Sequence, residues 1–268
     1  MIELIQITND PAFARRCDAL DGLRLFVDLE RLGKAERQAG HNTFISTHDL
    51  ADVSCIKQAL HRSPLMVRVN PLNSATPEEL DAVLLSGADQ VMLPMFTEAS
   101  QVRDFARMVA GRAPIVALLE TGAALECLDD WIATPGLQEV YVGLNDLHLS
   151  LGLRFMFEPL ALGLVDRVAA AARRRGLRFG FGGIARLDEG MLSGRDVLAE
   201  HLRLGSTAVI LSRTFHRPGS GVAFEDEVER LRKAERELAA RKPLQIEADR
   251  QRIAESIRGA GAAGRSTP

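Results

Sequence analysis

Ile-Val-Ala-Leu-Leu-Glu-Thr at residues 115–121 and Val-Tyr-Val-Gly-Leu-Asn-Asp-Leu at residues 140–147 decide how this chain is read. Each is a short apolar run that delivers a carboxylate, Glu120 or Asp146, at or just beyond its end. Short apolar runs of this kind suit strands buried on both faces, as in a parallel sheet covered by helices. Working outward, comparable runs stand at residues 2–7, 23–28, 65–70, 90–93, 178–182 and 208–212. Together with 115–120 and 140–143 they make eight predicted strands. Amphipathic segments at residues 11–20, 49–61, 76–86, 98–109, 160–175 and 196–204 separate many of them and read as helices. Several open at or just after Ser, Thr, Asp or Asn, whose side chains accept hydrogen bonds from the unpaired N–H groups of a first turn. Eight strands alternating with helices predict an α/β fold, a closed (β/α)8 barrel of the TIM type.

Beyond the eighth strand, residues 224–239 and 244–257 are charged and amphipathic, and Arg241-Lys242-Pro243 breaks the helical path between them. This helix pair is longer than barrel closure requires, and either covers its own barrel or packs on a second copy. We therefore expect one domain over residues 1–258, including the extra C-terminal helices, and a disordered tail over residues 259–268, which are small and polar without apolar periodicity.

The 268 residues, 46% of them hydrophobic, suffice for one large core. The formal charge of -3 arises from 33 basic and 36 acidic residues mixed along the chain, which excludes a field favouring nucleic acid or an anionic membrane. The basic run at residues 173–175 closes a predicted helix, where cations complement the dipole. Cys17, Cys55 and Cys127 lie far apart without metal-type spacing, which suits buried thiols in a reducing compartment. Neither a signal peptide nor a membrane-spanning run is legible, so a soluble cytoplasmic protein is expected.

Barrel active sites form where strands end and the following loops begin. The strand ends here offer Asp28, Glu30, Arg68, Asn70, Pro94, Glu120, Asn145, Asp146, Gly182, Gly183, Ser212 and Arg213. Glu120 and Asp146 follow neighbouring strands and can face one cation. Two carboxylates completed by water and substrate oxygens suit Mg²⁺ or Mn²⁺, which would polarise a carbonyl and stabilise an enolate. Arg68 places a planar cation in a strand, either to bind a ligand carboxylate or to form an internal ion pair with Asp28 or Glu30. The Gly-Phe-Gly-Gly stretch at residues 180–183 and the pair Ser212-Arg213 suggest a phosphorylated or otherwise anionic substrate, with glycines serving only a tight turn as the alternative. Asn145, His148 and Glu158 flank the expected metal site, and Glu158 could equally start a helix. Trp131, Phe155 and Phe157 need no role beyond burial.

Gly-Ala-Asp-Gln-Val-Met-Leu-Pro-Met at residues 87–95, Leu-Leu-Glu-Thr at 118–121 and Val-Gly-Leu-Asn-Asp-Leu at 142–147 resemble the HpcH/HpaI aldolase and citrate lyase β-subunit family. Val-Arg-Val-Asn at 67–70 and Phe-Val-Asp-Leu-Glu at 26–30 are similar to it as well, and the resemblance runs from about residue 2 to residue 215. The resemblance implies a phosphoenolpyruvate/pyruvate-type barrel, commonly homo-oligomeric. It also implies Glu120 and Asp146 as metal ligands, Arg68 as the holder of a pyruvate-like or acyl carboxylate, Asp28 and Glu30 as supports beneath the site, and backbone groups near Gly143 and Leu144 as substrate contacts. The implied activity is aldol cleavage or condensation of 2-oxo acids, or lyase or synthase chemistry on acyl-thioesters.

Two departures from the family pattern bear on mechanism. Arg31 stands where aldolases of the family carry a histidine and citrate lyase relatives an aspartate, so His48, in Ser-Thr-His-Asp, is the candidate acid-base residue, with helix capping as the alternative role of its loop. Residues 96–113 read as an ordinary helix and turn in place of a Pro- and Gly-rich insertion. The expected function is a metal-dependent carbon-carbon lyase or aldolase acting on a small anionic carbonyl substrate. An acyl-CoA lyase, thioesterase or phosphoenolpyruvate-handling enzyme is the first alternative, and a non-catalytic metabolite-binding barrel the second.

Overall fold

A computed structural model of the chain describes residues 1–33, 47–216 and 221–263. Eight strands, β1 (Glu3–Ile7), β2 (Leu23–Asp28), β3 (Leu65–Arg68), β4 (Gln90–Leu93), β5 (Ile115–Leu119), β6 (Leu137–Val142), β7 (Arg178–Ile184) and β8 (Ala208–Leu211), close into a parallel barrel in sequence order. This is the expected TIM-type α/β architecture. Two compact units make up the chain, residues 5–141 and residues 1–4 with those from 142 onward. No helix among the described residues is long and apolar enough to cross a membrane.

In the first unit, helix ends follow their capping chemistry. Asp10 caps α1 (Pro11–Asp18) by accepting from Ala12 N, with Pro11 in the first turn. Asp49 and Asp52 form a reciprocal capping box at the start of α2 (Leu50–Ala59). The next helices are α3 (Thr76–Leu85) and α4 (Ala99–Val109), the latter an ordinary helix within residues 96–113 as expected. Two short helices that the sequence reading did not foresee, α5 (Gly122–Glu126) and α6 (Leu128–Trp131), follow β5.

Polar residues are hidden inside this unit by pairing. Strand β6 starts at Leu137, earlier than the apolar pattern indicates, because Glu139 is buried against Arg24 of β2 at 2.8 Å. A buried charge is tolerated when paired, so a residue that reads as loop becomes strand. Along β2, Arg24, Phe26 and Asp28 share one face by the alternation of a strand. Register places Asp28 opposite Arg68 of β3, and Arg68 opposite Met92 of β4.

In the second unit, the elements after β6 are α7 (Leu144–Ser150), α8 (Glu158–Ala161), α9 (Leu164–Arg174), α10 (Gly194–Leu204), a 3-10 turn (Arg213–His216), α11 (Phe224–Ala239) and α12 (Pro243–Ala263). Helix α11 matches its predicted bounds. Its buried Glu235 accepts from Ile2 N at 2.6 Å, while Arg232 donates to Ile2 O at 2.5 Å and to Glu235 at 2.9 Å. Helix α11 therefore holds the backbone of Ile2, immediately before β1. Helix α12 continues past the expected end at residue 257. Its small residues allow this: a Cβ at Gly261 would lie 2.9 Å from Glu158 Oε1 of α8, so glycine permits close approach. Residues 264–268 of the expected tail lie outside the described residues.

His201 of α10 is wholly buried and stacks on Phe181 of β7, ring centroids 3.7 Å apart. Its Nδ1 lies 2.8 Å from Ser206 Oγ, and burial pushes its pKa down to about 3.

Two predictions follow from these buried groups. Arg24→Met should destabilise the protein by about 3–5 kcal/mol in urea unfolding by removing the cation that pairs with buried Glu139 at 2.8 Å, and Arg24→Met/Glu139→Leu should recover most of that loss. For His201, whose folded pKa is depressed, the stabilising contribution is complete above the unfolded value of 6.5 and is lost as pH falls from there toward about 3. His201→Phe, which keeps the stacking and leaves Ser206 its carbonyl partners Phe179 O and Ala208 O, should flatten the fall in unfolding free energy over that window. An unchanged slope would contradict the buried neutral imidazole.

Candidate active site

The carboxyl ends of β2, β3 and β5 gather charge on one face of the first unit. Arg68 Nε donates to Asp28 Oδ1 and its Nη2 to Asp28 Oδ2, both at 2.8 Å, a two-point pair of the kind a planar guanidinium forms. Nη1 lies 3.2 Å from Glu30 Oε2. The internal ion pair weighed from the sequence is therefore formed, with both acids. Three of the five N–H groups of Arg68 serve these contacts, which leaves two for other acceptors. The guanidinium carbon also stands 5.8 Å from the Phe26 ring centroid. Burial disfavours the cation, yet Asp28, then Glu30 and Glu120, more than offset it, and the Arg68 pKa is raised. Glu120 thus lies within the electrostatic reach of Arg68.

Glu120, 2% exposed, follows β5 directly. Its Oε1 accepts from the backbone N–H of Met95 at 3.0 Å. The next residue, Thr121, caps α5 by accepting from Ala124 N and donates its hydroxyl to Phe96 O at 2.8 Å. Met95 and Thr121 were not singled out by sequence reasoning. Thr121 carried a signal, a hydroxyl at a helix start; nothing in the residue type of Met95 announces its role.

His48 is buried, and its Nδ1 accepts from Asp28 N at 3.1 Å. In the neutral ring the proton then sits on Nε2. Arg31 donates from Nη2 to His48 O at 2.9 Å. Asn70 is committed to the scaffold as well: its Oδ1 accepts from Arg31 N and Leu32 N, and its amide groups donate to Glu79. Burial raises the Glu79 carboxyl, with the bonds from Asn70 opposing. Glu79 is a further residue that sequence reasoning missed, being one of two adjacent acids in the first turn of a helix. Leu29, Arg31, His48, Asp49, Leu50, Asn70 and Glu79 line a surface depression together with Ala82 and Val83 of α3.

In the second unit, Gly143 is the residue before α7, and Asp146 lies in the first turn of that helix. Asn145 and Asp146 are half-buried and Leu144 is buried. His148 Nδ1 lies 3.3 Å from Leu144 O. Gly182 adopts φ +52, and a Cβ there would stand 2.8 Å from Leu144 Cδ1, so both backbone and packing favour glycine there. It lies in an irregular stretch of the β7 to β8 pairing between Gly180 and Gly183. Ser212 Oγ is 2.9 Å from Thr214 Oγ1, and Arg213 is exposed. Glu158 Oε2 accepts from Arg154 N and Phe155 N, which makes it a brace for the turn before α8.

The buried Glu120 carboxylate offers an oxygen donor of the kind a hard divalent cation takes. Among the described residues no group of three or more His, Cys, Asp or Glu suited to a metal is gathered.

Residues 27–183 match the HpcH/HpaI aldolase/citrate lyase family. Solved structures of similar fold include an HpcH/HpaI aldolase/citrate lyase family protein from Burkholderia cenocepacia J2315, with 17% identity over 89% of this chain and 95% of that one and a TM-score of 0.62. A citrate lyase β subunit from M. tuberculosis, complexed with oxaloacetate and magnesium, aligns at 19% identity over 88% of this chain and 97% of that one, with a TM-score of 0.57. The CitE protein of M. tuberculosis, in complex with magnesium, acetoacetate and coenzyme A, aligns at 18% identity over 95% and 87%, with a TM-score of 0.57. No curated protein sequence matches significantly. Because the family match spans more than half of the 268 residues, this chain belongs to the HpcH/HpaI aldolase/citrate lyase family.

Proposed function

We propose that this protein is a divalent-metal-dependent carbon-carbon lyase of the aldolase type, acting on a 2-oxo acid or a related anionic carbonyl compound. The observation that carries this reading is the buried carboxylate of Glu120, oriented by a backbone N–H and set beside Arg68 at the strand ends of a family barrel. Glu120 and Asp146 are the proposed ligands of Mg²⁺ or Mn²⁺, each at the carboxyl end of its strand or in the helix that follows. When bound, the metal supplies a Lewis acid that stabilises enolate charge.

The chain's own groups are assigned as follows. Arg68, its plane fixed by Asp28 and Glu30, offers its two remaining N–H groups to the substrate carboxylate. Asp28 and Glu30 orient that guanidinium and keep it charged. His48 acts first as a brace for the end of β2, since its Nδ1 already accepts the Asp28 N–H. Nε2 already carries the proton of the neutral ring, so the proton-transfer role proposed for His48 requires Nδ1 to release the Asp28 N–H and take up the proton itself. Asn70 positions the Arg31 backbone. Gly143, Leu144 and Asn145 offer backbone and amide groups to the substrate. Gly182, Gly183, Ser212 and Arg213 are the proposed recognition elements for a second anionic group such as a phosphate. The magnesium, acetoacetate and coenzyme A complex of a neighbour favours acyl-thioester chemistry as the second reading.

Pyruvate or oxaloacetate release and the reverse condensation, measured with Mg²⁺ or Mn²⁺ over a panel of aldehydes and 2-oxo acids, test the proposal. Turnover should depend on metal and fall by at least about a hundred-fold in Glu120→Ala and Asp146→Ala, a loss of roughly 2.7 kcal/mol or more in transition-state stabilisation. Metal binding without turnover of any 2-oxo acid, together with cleavage or hydrolysis of an acyl-CoA, would move the assignment to the second reading.

A further inference from the structure

Among the described residues only Met95 and Ala110 combine a side chain with positive φ. Ala110, φ 52, ends α4 in a left-handed cap, an ordinary place for that conformation. Met95, φ 54, has no such excuse: it stands after β4 has ended at Leu93 and before α4 begins at Ala99. The left-handed conformation is costly for a residue with a side chain and persists where its surroundings over-determine it.

Those surroundings are on either side of Met95. Phe96 is buried edge-on to Trp131, ring centroids 5.0 Å apart, and Trp131 is itself pinned by donating Nε1 to Ala124 O at 2.8 Å. Phe96 O receives the Thr121 hydroxyl. The peptide between these anchors and β4 is turned so that Met95 N–H meets Glu120 Oε1 at 3.0 Å. A hydrogen bond from a backbone N–H to a buried carboxylate is charge-assisted, and it fixes the carboxylate plane as a side chain with three rotatable bonds would not.

We propose that the backbone amide of Met95, held in the left-handed conformation, is a positioning group that presets the carboxylate of Glu120 for a divalent cation. The inference rests on the metal reading of Glu120. It assigns the strain at Met95 to the site and makes the 94–97 loop, clamped by Thr121 and Trp131, part of the apparatus for metal affinity. The Met95 side chain contributes nothing to this role, so glycine should serve equally well there, whereas a β-branched residue, for which positive φ is a severe outlier, should turn the amide away.

The test is Mn²⁺ titration of wild type, Met95→Gly, Met95→Val and Glu120→Gln, with free Mn²⁺ counted by electron paramagnetic resonance. Wild type and Met95→Gly should bind alike, Met95→Val about ten- to a hundred-fold more weakly, and Glu120→Gln most weakly. Wild-type affinity in Met95→Val, with binding lost in Glu120→Gln, overturns the inference and leaves the metal reading standing. Binding unaffected by Glu120→Gln overturns both. A second measurement does not depend on how Met95→Val folds. The chain has 7 methionines, so ¹⁵N-methionine labelling of the wild type gives few amide signals, and Met95→Gly identifies the one from Met95. Saturating Mg²⁺ should move that signal more than any other methionine amide, because the ion draws charge from the carboxylate it shares; an unmoved signal overturns the inference.

Discussion

The charge balance around Arg68 is the constraint on which the upper layer of the first unit depends. Asp28, Glu30 and Glu120 are all buried, and carboxylates removed from water remain ionised only where a cation or hydrogen-bond donors compensate them. Arg68 does so by direct pairing with two of them and at longer range with the third. The register that places Asp28 beside Arg68 is thus chemical as well as geometric, since a slip of one residue would turn the guanidinium to the other face of β3 and strand the acids. Beneath lies Phe26, and at the start of β2 the pair Arg24 and Glu139 repeats the same solution. One face of a single strand therefore runs from a structural ion pair, through an aromatic layer, to an ion pair at the end of the barrel where chemistry is expected.

Much of this architecture is legible in the sequence because buried parallel strands announce themselves as apolar runs. All eight strands are legible in this way, and so are both ends of α11. Misplaced edges have a common cause. The beginning of β6 was hidden by Glu139, whose burial depends on an arginine 115 residues away, and the far end of α12 by glycines whose fitness depends on Glu158 of α8. Composition reports what a residue prefers in isolation; both cases turn on a partner distant in the chain.

The site divides along the same line. Asp28, Glu30, Arg68 and Glu120 could be read as strand-end charges, and their association could be framed as alternatives, because residue type and strand alternation carry that information. The roles of Asn70 and His48 could not, since an amide that holds the Arg31 loop and an imidazole that accepts a backbone N–H are fixed by loop geometry. Met95 is the extreme case. Its contribution lies in a backbone dihedral and an amide proton, neither of which depends on the side chain that the sequence records.

In the proposed site Glu120 and Asp146 hold one divalent cation while Arg68 takes the substrate carboxylate. Anomalous diffraction at the manganese edge, from crystals grown with Mn²⁺ and the enolate mimic oxalate, addresses it most directly. A single strong peak is expected with Glu120 and Asp146 oxygens about 2.0–2.1 Å from the ion, the spacing of a small hard cation, and with an oxalate carboxylate on Arg68. A peak ligated by other residues, or oxalate bound away from Arg68, would contradict it.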